Sequence, residues 1–300
     1  MITYYYNDLF EWGLFVKLYL DCVPCYIRQA LDAAKMVTDD KVLLERILRE
    51  SLKAAVDFDS GSIGLLTQAK IQKIIKELLP DSDPYKEIKK KFNLICLELE
   101  EKLKIIIKES ANPFETSLRI SLAGNIIDFG PKQNLSKKVI LDAIKKAQHQ
   151  NLNESKVELL KENIDKSEKI LFIGDNAGEI VLDKIFIEEL PRNKITYVVR
   201  GGPVLNDSTM TDAEMVGMTK LVKVITTGLD MPAAILALCS KEFLNEYEKS
   251  DLVLSKGQGN YEALSDENKN IFFLLKIKCP VIAESFDSRY KVGDIVVDKK

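Results

Sequence analysis

From about residue 150 onward, short apolar runs alternate with stretches of helical periodicity, and few folds accommodate that alternation. The runs cover residues 170–173, 195–199, 222–226, 252–254 and 271–277. Helical patterns at 179–190, 212–218, 232–238 and 261–265 fall between them. A sixth run, 292–297, reads as a late strand or edge hairpin. Strands alternating with helices predict a mainly parallel sheet covered on both faces, a three-layer α/β architecture. The first half has a different texture. Its apolar residues recur at helical spacing over 22–37, 39–56, 67–79, 84–109, 113–128 and 136–149, and 151–165 continues the pattern. The expected organisation is therefore an N-terminal extension (1–20), a helical region (21–150) and a Rossmann-like α/β domain (151–300).

Composition narrows the classes of function. Apolar residues make up 46% of the 300, enough for a core that needs no disulfide staples. The net charge of −3 argues against general nucleic-acid binding, which needs a basic surface. Five cysteines, an odd number in a long chain, suit a reducing cytoplasmic setting. The first twenty residues carry Asp8, Glu11 and Lys17 and lack a basic start, so neither a signal peptide nor a membrane span is expected.

In open α/β sheets the chemistry lies beyond the carboxyl ends of the strands. Four such segments are polar and glycine-rich here. The first run breaks at Gly174 into Asp175-Asn176 and a helix start near Gly178-Glu179. The second leads through Arg200 to Asn206, Asp207 and Asp212. The third reaches Thr226-Thr227-Gly228, and the fourth Lys256-Gly257-Gln258-Gly259-Asn260. Asp175, Asn176, Asp207 and Asp212 offer oxygen ligands of the kind Mg²⁺ or Mn²⁺ takes. A helix N-terminus near Gly178 and the charge of Lys256, with Gly257 allowing close backbone approach, suit a phosphate. Each segment also has a plainer reading, as a helix cap, a turn or a loop. Their coincidence at successive strand ends favours a site. His149 is the single histidine, which leaves no room for a histidine-based metal centre or a Ser-His-Asp triad.

Two further features stay open between structure and function. Cys22 and Cys25 form a C-x-x-C, which supplies two ligands where structural zinc needs four and follows no strand as a redox motif would. Packing, redox and metal use are the alternatives. Asn125 and Asp128 close a helical pattern. They serve as a helix stop, or they reach into a cleft between the two halves.

Taken in order, D-C-V-P-C, N-P-F-E with A-G-N-I-I-D-F-G, G-D-N-A-G-E-I-V-L-D-K, the V-R-G-G-P stretch through N-D-S-T-M-T-D-A, and S-K-G-Q-G-N-Y-E resemble the damage-control phosphatase family, long known as domain of unknown function eighty-nine. The C-x-x-C makes the chain similar to its archaeal and bacterial branch. The resemblance spans residues 21–297. It implies a helical region on a Rossmann-like domain and metal-dependent hydrolysis of phosphomonoesters, with sugar phosphates or phosphopantetheine-like metabolites as substrates. Matched motif to motif, it implies Asp175, Asn176 and Asp212 as metal ligands and catalytic residues. Glu179, Lys256 and Gly257 fall on the substrate side, with Asn125 and Arg200 as further candidates. The implied ion is Mn²⁺, Co²⁺ or Ni²⁺, with Mg²⁺ weaker. Water is the expected nucleophile, and Asp175 as a covalent nucleophile is the rival. Two other classes stand beside this one. They are an S-adenosylmethionine-dependent carboxyl methyltransferase and a metal or phosphometabolite binder without turnover. The expected partner is a small phosphorylated metabolite, with neither nucleic acid nor membrane.

Overall fold

A computed structural model describes residues 19–56, 64–80, 83–125, 136–287 and 289–299. Seven described helices precede the first strand: α1 (Cys22–Lys35), α2 (Lys41–Val56), α3 (Gly64–Leu78), α4 (Lys86–Glu109), α5 (Pro113–Gly124), α6 (Lys137–His149) and α7 (Glu154–Lys166). Then come β1 (Ile170–Ile173), α8 (Glu179–Glu188), β2 (Ile195–Val199), α9 (Met210–Met215), α10 (Met218–Leu221) and β3 (Lys223–Thr226). The chain continues with α11 (Lys241–Lys249), β4 (Leu252–Lys256), α12 (Gln258–Leu264), β5 (Ile271–Lys276), α13 (Pro280–Ser285) and β6 (Ile295–Lys299).

Local chemistry sets several of these boundaries. Asn112 caps α5 by accepting the Glu115 N–H, with Pro113 at the first helical position where a missing N–H costs nothing. Ser136 and Asn153 cap α6 and α7 in the same way. The 232–238 stretch is not the expected helix. Only a short 3₁₀ turn, Leu236–Leu238, forms there, because Ala233 sits at φ 71° and the Ala234 N–H is taken by Asn260 Oδ1. The helix of this crossover is α11, started by Ser240, whose hydroxyl accepts from the Phe243 N–H.

The sheet has six strands in the order β3-β2-β1-β4-β5-β6. All neighbours are parallel except β5 and β6, which run antiparallel. Strands β1 and β4 are buried at every position, as strands covered on both faces should be. One face packs Phe172, Tyr197, Leu254 and Phe272 against α4, α5, α7 and α8. The other packs Ile173, Val253, Phe273 and Leu275 against α11, α12 and α13. Residue 150 marks no break in this packing, since Phe92 to Val297 share one apolar cluster. A separate small core lies between α1, α2 and α3, around Tyr26, Ala30, Ile47 and Ile71. No described helix is long and apolar enough to cross a membrane.

Candidate active site

The strand order reverses between β1 and β4. That switch point leaves a crevice beyond their carboxyl ends, where such sheets bind ligands. Asp175 follows β1 after the single residue Gly174, and Lys256 ends β4. The loop after β2 is drawn over this point by main-chain pairing. Ala177 N–H donates to Asn206 O at 2.9 Å, Ser208 N–H to Asp175 O at 2.8 Å, and Arg200 N–H to Ser208 O at 2.9 Å. Asn176 and Asp207 consequently face each other in an isolated antiparallel bridge. Two polar loops some thirty positions apart thus form one surface.

The carboxylates on that surface are packed around amides and one guanidinium. Asp175 Oδ2 accepts from Asn176 Nδ2 (2.7 Å) and Asn125 Nδ2 (3.3 Å). Its other oxygen, Oδ1, lies 3.8 Å from Arg200 Nη2. Arg200 is 1% exposed and also donates from Nε to Asp207 Oδ2 at 2.6 Å, so it spans both acids. Burial pushes the Asp175 carboxyl up to about 7, with Asp207 and Glu179 adding to the rise and Lys278 and Arg200 opposing it. Burial raises Asp207 as well, against the pull of Arg200. Gly257 explains how Asp175 fits. It adopts φ 81°, and a Cβ there would fall 2.1 Å from Asp175 Oδ2.

Beneath this layer lies a second one, closed to solvent. Lys256 Nζ contacts Asp183 Oδ1 (2.6 Å), Glu179 Oε1 (2.7 Å), Ser121 Oγ (2.7 Å) and Ser121 O (3.0 Å). Tyr197 OH donates to Asp183 Oδ2 at 2.8 Å. Burial works against the charge on Lys256, but Asp183 and Glu179 outweigh it and hold the ammonium protonated. All three charged groups are 0% exposed. The three donors of Lys256 are spent on these four oxygens, so the structure corrects its expected role at a phosphate. Glu179 is likewise turned inward, to Lys256, Asn125 and Asn176. Gly257 gives its N–H to Leu274 O, inside the sheet ladder. The helix start near Gly178 is no open anion site either, because the Gly178 N–H donates to Asn93 Oδ1 at 2.5 Å.

Asp212 stands apart from this group. Its Oδ2 accepts the Thr209 N–H (2.9 Å) and Thr209 Oγ1–H (2.8 Å), closing a capping box at the start of α9. Lys89 Nζ pairs with the same oxygen at 3.0 Å, and Asn93 Nδ2 occupies Oδ1 at 2.8 Å. Lys89 and Asn93 thus tie Asp212, and with it α9, to α4. Asp207 is the acid brought to Asp175 and Asn176 instead. Asn125 is buried and donates to Asp175 and Glu179, and Asp128 lies outside the described residues.

Among the described residues, no three His, Cys, Asp or Glu side chains are gathered to hold a metal ion. What converges is two carboxylates with two amides, a hard-oxygen set suited to a divalent cation. Buried polar atoms without a hydrogen-bond partner mark the same spot: Asn125 Oδ1 and both terminal nitrogens of Arg200. An amide oxygen would serve a cation and the guanidinium an anion, so the residues fit a metal and a phosphate together.

Lys278 is the residue that sequence reasoning passed over. It is exposed, two positions beyond the end of β5, and its charge acts on both Asp175 and Asp207. The segment after the fifth apolar run, treated like the four before it, points to this lysine. Beside Asp212, a cavity of about 850 Å³ opens between α3, α4 and the 203–205 loop, walled by Ile75, Leu79, Tyr85 and Leu205 and rimmed by Lys86 and Lys90.

Known proteins resemble this chain over most of its length. The crystal structure of a domain-of-unknown-function-eighty-nine protein from Pyrococcus horikoshii superposes with a TM-score of 0.82 at 30% identity, over 94% of this chain and 99% of that one. A damage-control phosphatase of Archaeoglobus fulgidus is 33% identical, covering 92% of this chain and 96% of its own length. An uncharacterised protein of Methanocaldococcus jannaschii is 35% identical over 96% of this chain and 97% of its own. The family model described as "Damage-control phosphatase ARMT1-like domain" matches residues 18–291. The chain belongs to the damage-control phosphatase ARMT1-like family.

Proposed function

We propose that this protein is a metal-dependent phosphomonoesterase acting on small phosphorylated metabolites, with Asp175, Asn176 and Asp207 as its metal-binding set. The observation that supports this most is the pairing of partly buried Asp175 and buried Asp207 around buried Arg200, beside the Asn125 oxygen that has no hydrogen-bond partner. A divalent cation bound there supplies Lewis-acid polarisation of the phosphoryl group and offsets its developing negative charge. The protein's own groups do the rest. Asp175 Oδ1, 3.8 Å from Arg200 Nη2, is the oxygen of that carboxylate left to the cation. Arg200 fixes the spacing of the two acids. Lys278, exposed at the rim, meets the phosphate charge that Lys256 cannot reach. Asn125 and Asn176 hold Asp175 and Glu179 in place through their amide N–H groups. The relatives named damage-control phosphatases support the reaction class.

The test is phosphate release from p-nitrophenyl phosphate and a panel of sugar phosphates, with Mn²⁺, Co²⁺, Ni²⁺ and Mg²⁺ in turn. Asp175→Asn should lower kcat by roughly 100-fold or more while far-UV circular dichroism stays unchanged. No phosphate release with any of the four ions would remove this reading. In that case, binding of S-adenosylmethionine would point to the methyltransferase class.

A further inference from the structure

The loop that carries Asn206 and Asp207 over β1 holds one residue in a conformation its chemistry disfavours. Val204 O accepts the Asp207 N–H at 3.1 Å, which closes a tight turn with Leu205 and Asn206 at its centre. Leu205 sits there at φ 45°. That is left-handed backbone, which leucine rarely adopts and which the first central position of such a turn usually gives to glycine. A side chain persists there only where its surroundings overdetermine it. For Leu205 the surroundings are the small helical core. Its side chain is half-buried and packs against the cluster built around Tyr26, Ile47 and Ile71. Ile75, Leu79 and Tyr85 of that cluster wall one cavity together with Leu205. The loop is pinned at its start as well, where the Gly201 N–H donates to Leu229 O at 2.7 Å. Next to Leu229, Asp230 pairs with Lys76 of α3 at 2.7 Å, so α3 holds this surface at two points.

What the turn delivers lies one and two positions on. Asn206 accepts the Ala177 N–H through its main-chain oxygen, and its Nδ2 donates to Asn176 Oδ1 at 2.6 Å. Asp207 faces Asn176 in the isolated bridge and takes Arg200 Nε at 2.6 Å. We infer that Leu205 is a positioning residue. Its side chain, seated on the helical core, holds the 204–207 turn in its strained form and so sets Asn176 and Asp207 at the spacing a divalent cation needs. The inference rests on the metal-binding set proposed above. It gives α3 a part in the site through one leucine. A glycine at this position reaches φ 45° freely but leaves the turn without its anchor, whereas a methionine keeps an apolar anchor of similar volume.

The test is Mn²⁺ titration of the whole protein without substrate, with free ion read by electron paramagnetic resonance well below each variant's Tm. Leu205→Gly should weaken Mn²⁺ binding by roughly 10-fold or more, as losing a group that orients metal ligands does. Leu205→Met should bind close to the parent. Ile47→Val, which thins the same core on α2, should lower Tm and leave Mn²⁺ affinity unchanged. A glycine variant with the parent's affinity would overturn the inference. So would a methionine variant as weak as the glycine one, or an Ile47→Val protein that loses as much Mn²⁺ affinity as Leu205→Gly. A parent protein that binds no Mn²⁺ removes the metal-binding set and this inference with it. A parent that binds Mn²⁺, is weakened by Leu205→Gly and releases no phosphate keeps the role of Leu205 and loses the reaction assigned above.

Discussion

At the scale of single residues, the two acids of the second loop have opposite jobs. Asp207 shares Arg200 with Asp175, whereas Asp212 caps α9 and pairs with Lys89. Asp207→Asn should therefore cost roughly 100-fold in kcat, and some stability as well because it weakens the pairing of buried Arg200. Asp212→Asn should leave the Asp175–Asp207 cluster intact and lower stability by about 3 kcal/mol, since it strands a buried ammonium. Urea unfolding beside phosphatase rates separates them, and a silent Asp207→Asn would move the ligand role elsewhere. The raised Asp175 carboxyl has its own consequence. It titrates at about 7 in the folded chain against an ordinary 3.8. Its contribution to stability is thus fully present below the unfolded value and is lost as pH rises through the folded one. A divalent cation competes with the proton for these oxygens, so the Tm gained from Mn²⁺ should be larger at about pH 8 than at about pH 5. Equal gains at both would sever the metal from Asp175.

At the scale of elements, Lys256 shows what a motif conceals. A lysine on a glycine-rich turn after a strand looks like a phosphate ligand, and only Ser121 from α5 with Glu179 and Asp183 from α8 turn it inward. Lys256→Met should leave two buried carboxylates uncompensated and destabilise the protein by roughly 3–5 kcal/mol. A stable variant with a raised KM would restore the phosphate role. Strands β1 and β5 were legible because each is a continuous apolar run, a pattern set by burial on both faces. α11 was not, because among its nine residues only Phe243 and Tyr247 are buried, too sparse a stripe to read as periodicity. Asp175 and Asn176 were legible from their place after β1. The choice between Asp207 and Asp212 was not, because it rests on the Ala177–Asn206 and Asp175–Ser208 pairings, which join separate loops.

At the scale of the molecule, one sheet carries the site on its carboxyl edge and is closed at its side by β6. That strand is the lone antiparallel member, and it lies against Ile271–Lys276, an almost wholly apolar strand. Asp298 of β6 is 1% exposed and is held by Lys156 (2.5 Å), Arg289 (2.9 Å) and Tyr290 (3.1 Å), which fixes the strand in place. A chain cut before residue 294 should elute in the void volume on size exclusion, because β5 would offer a bare hydrogen-bonding edge. A monodisperse truncated protein would show that the edge is otherwise guarded. The same geometry acts during synthesis. β5 leaves the ribosome about twenty residues ahead of its cover. Over that interval a nascent chain with its catalytic crevice already spelled out is still a template for its neighbours on the polysome, and the last strand to arrive ends that exposure.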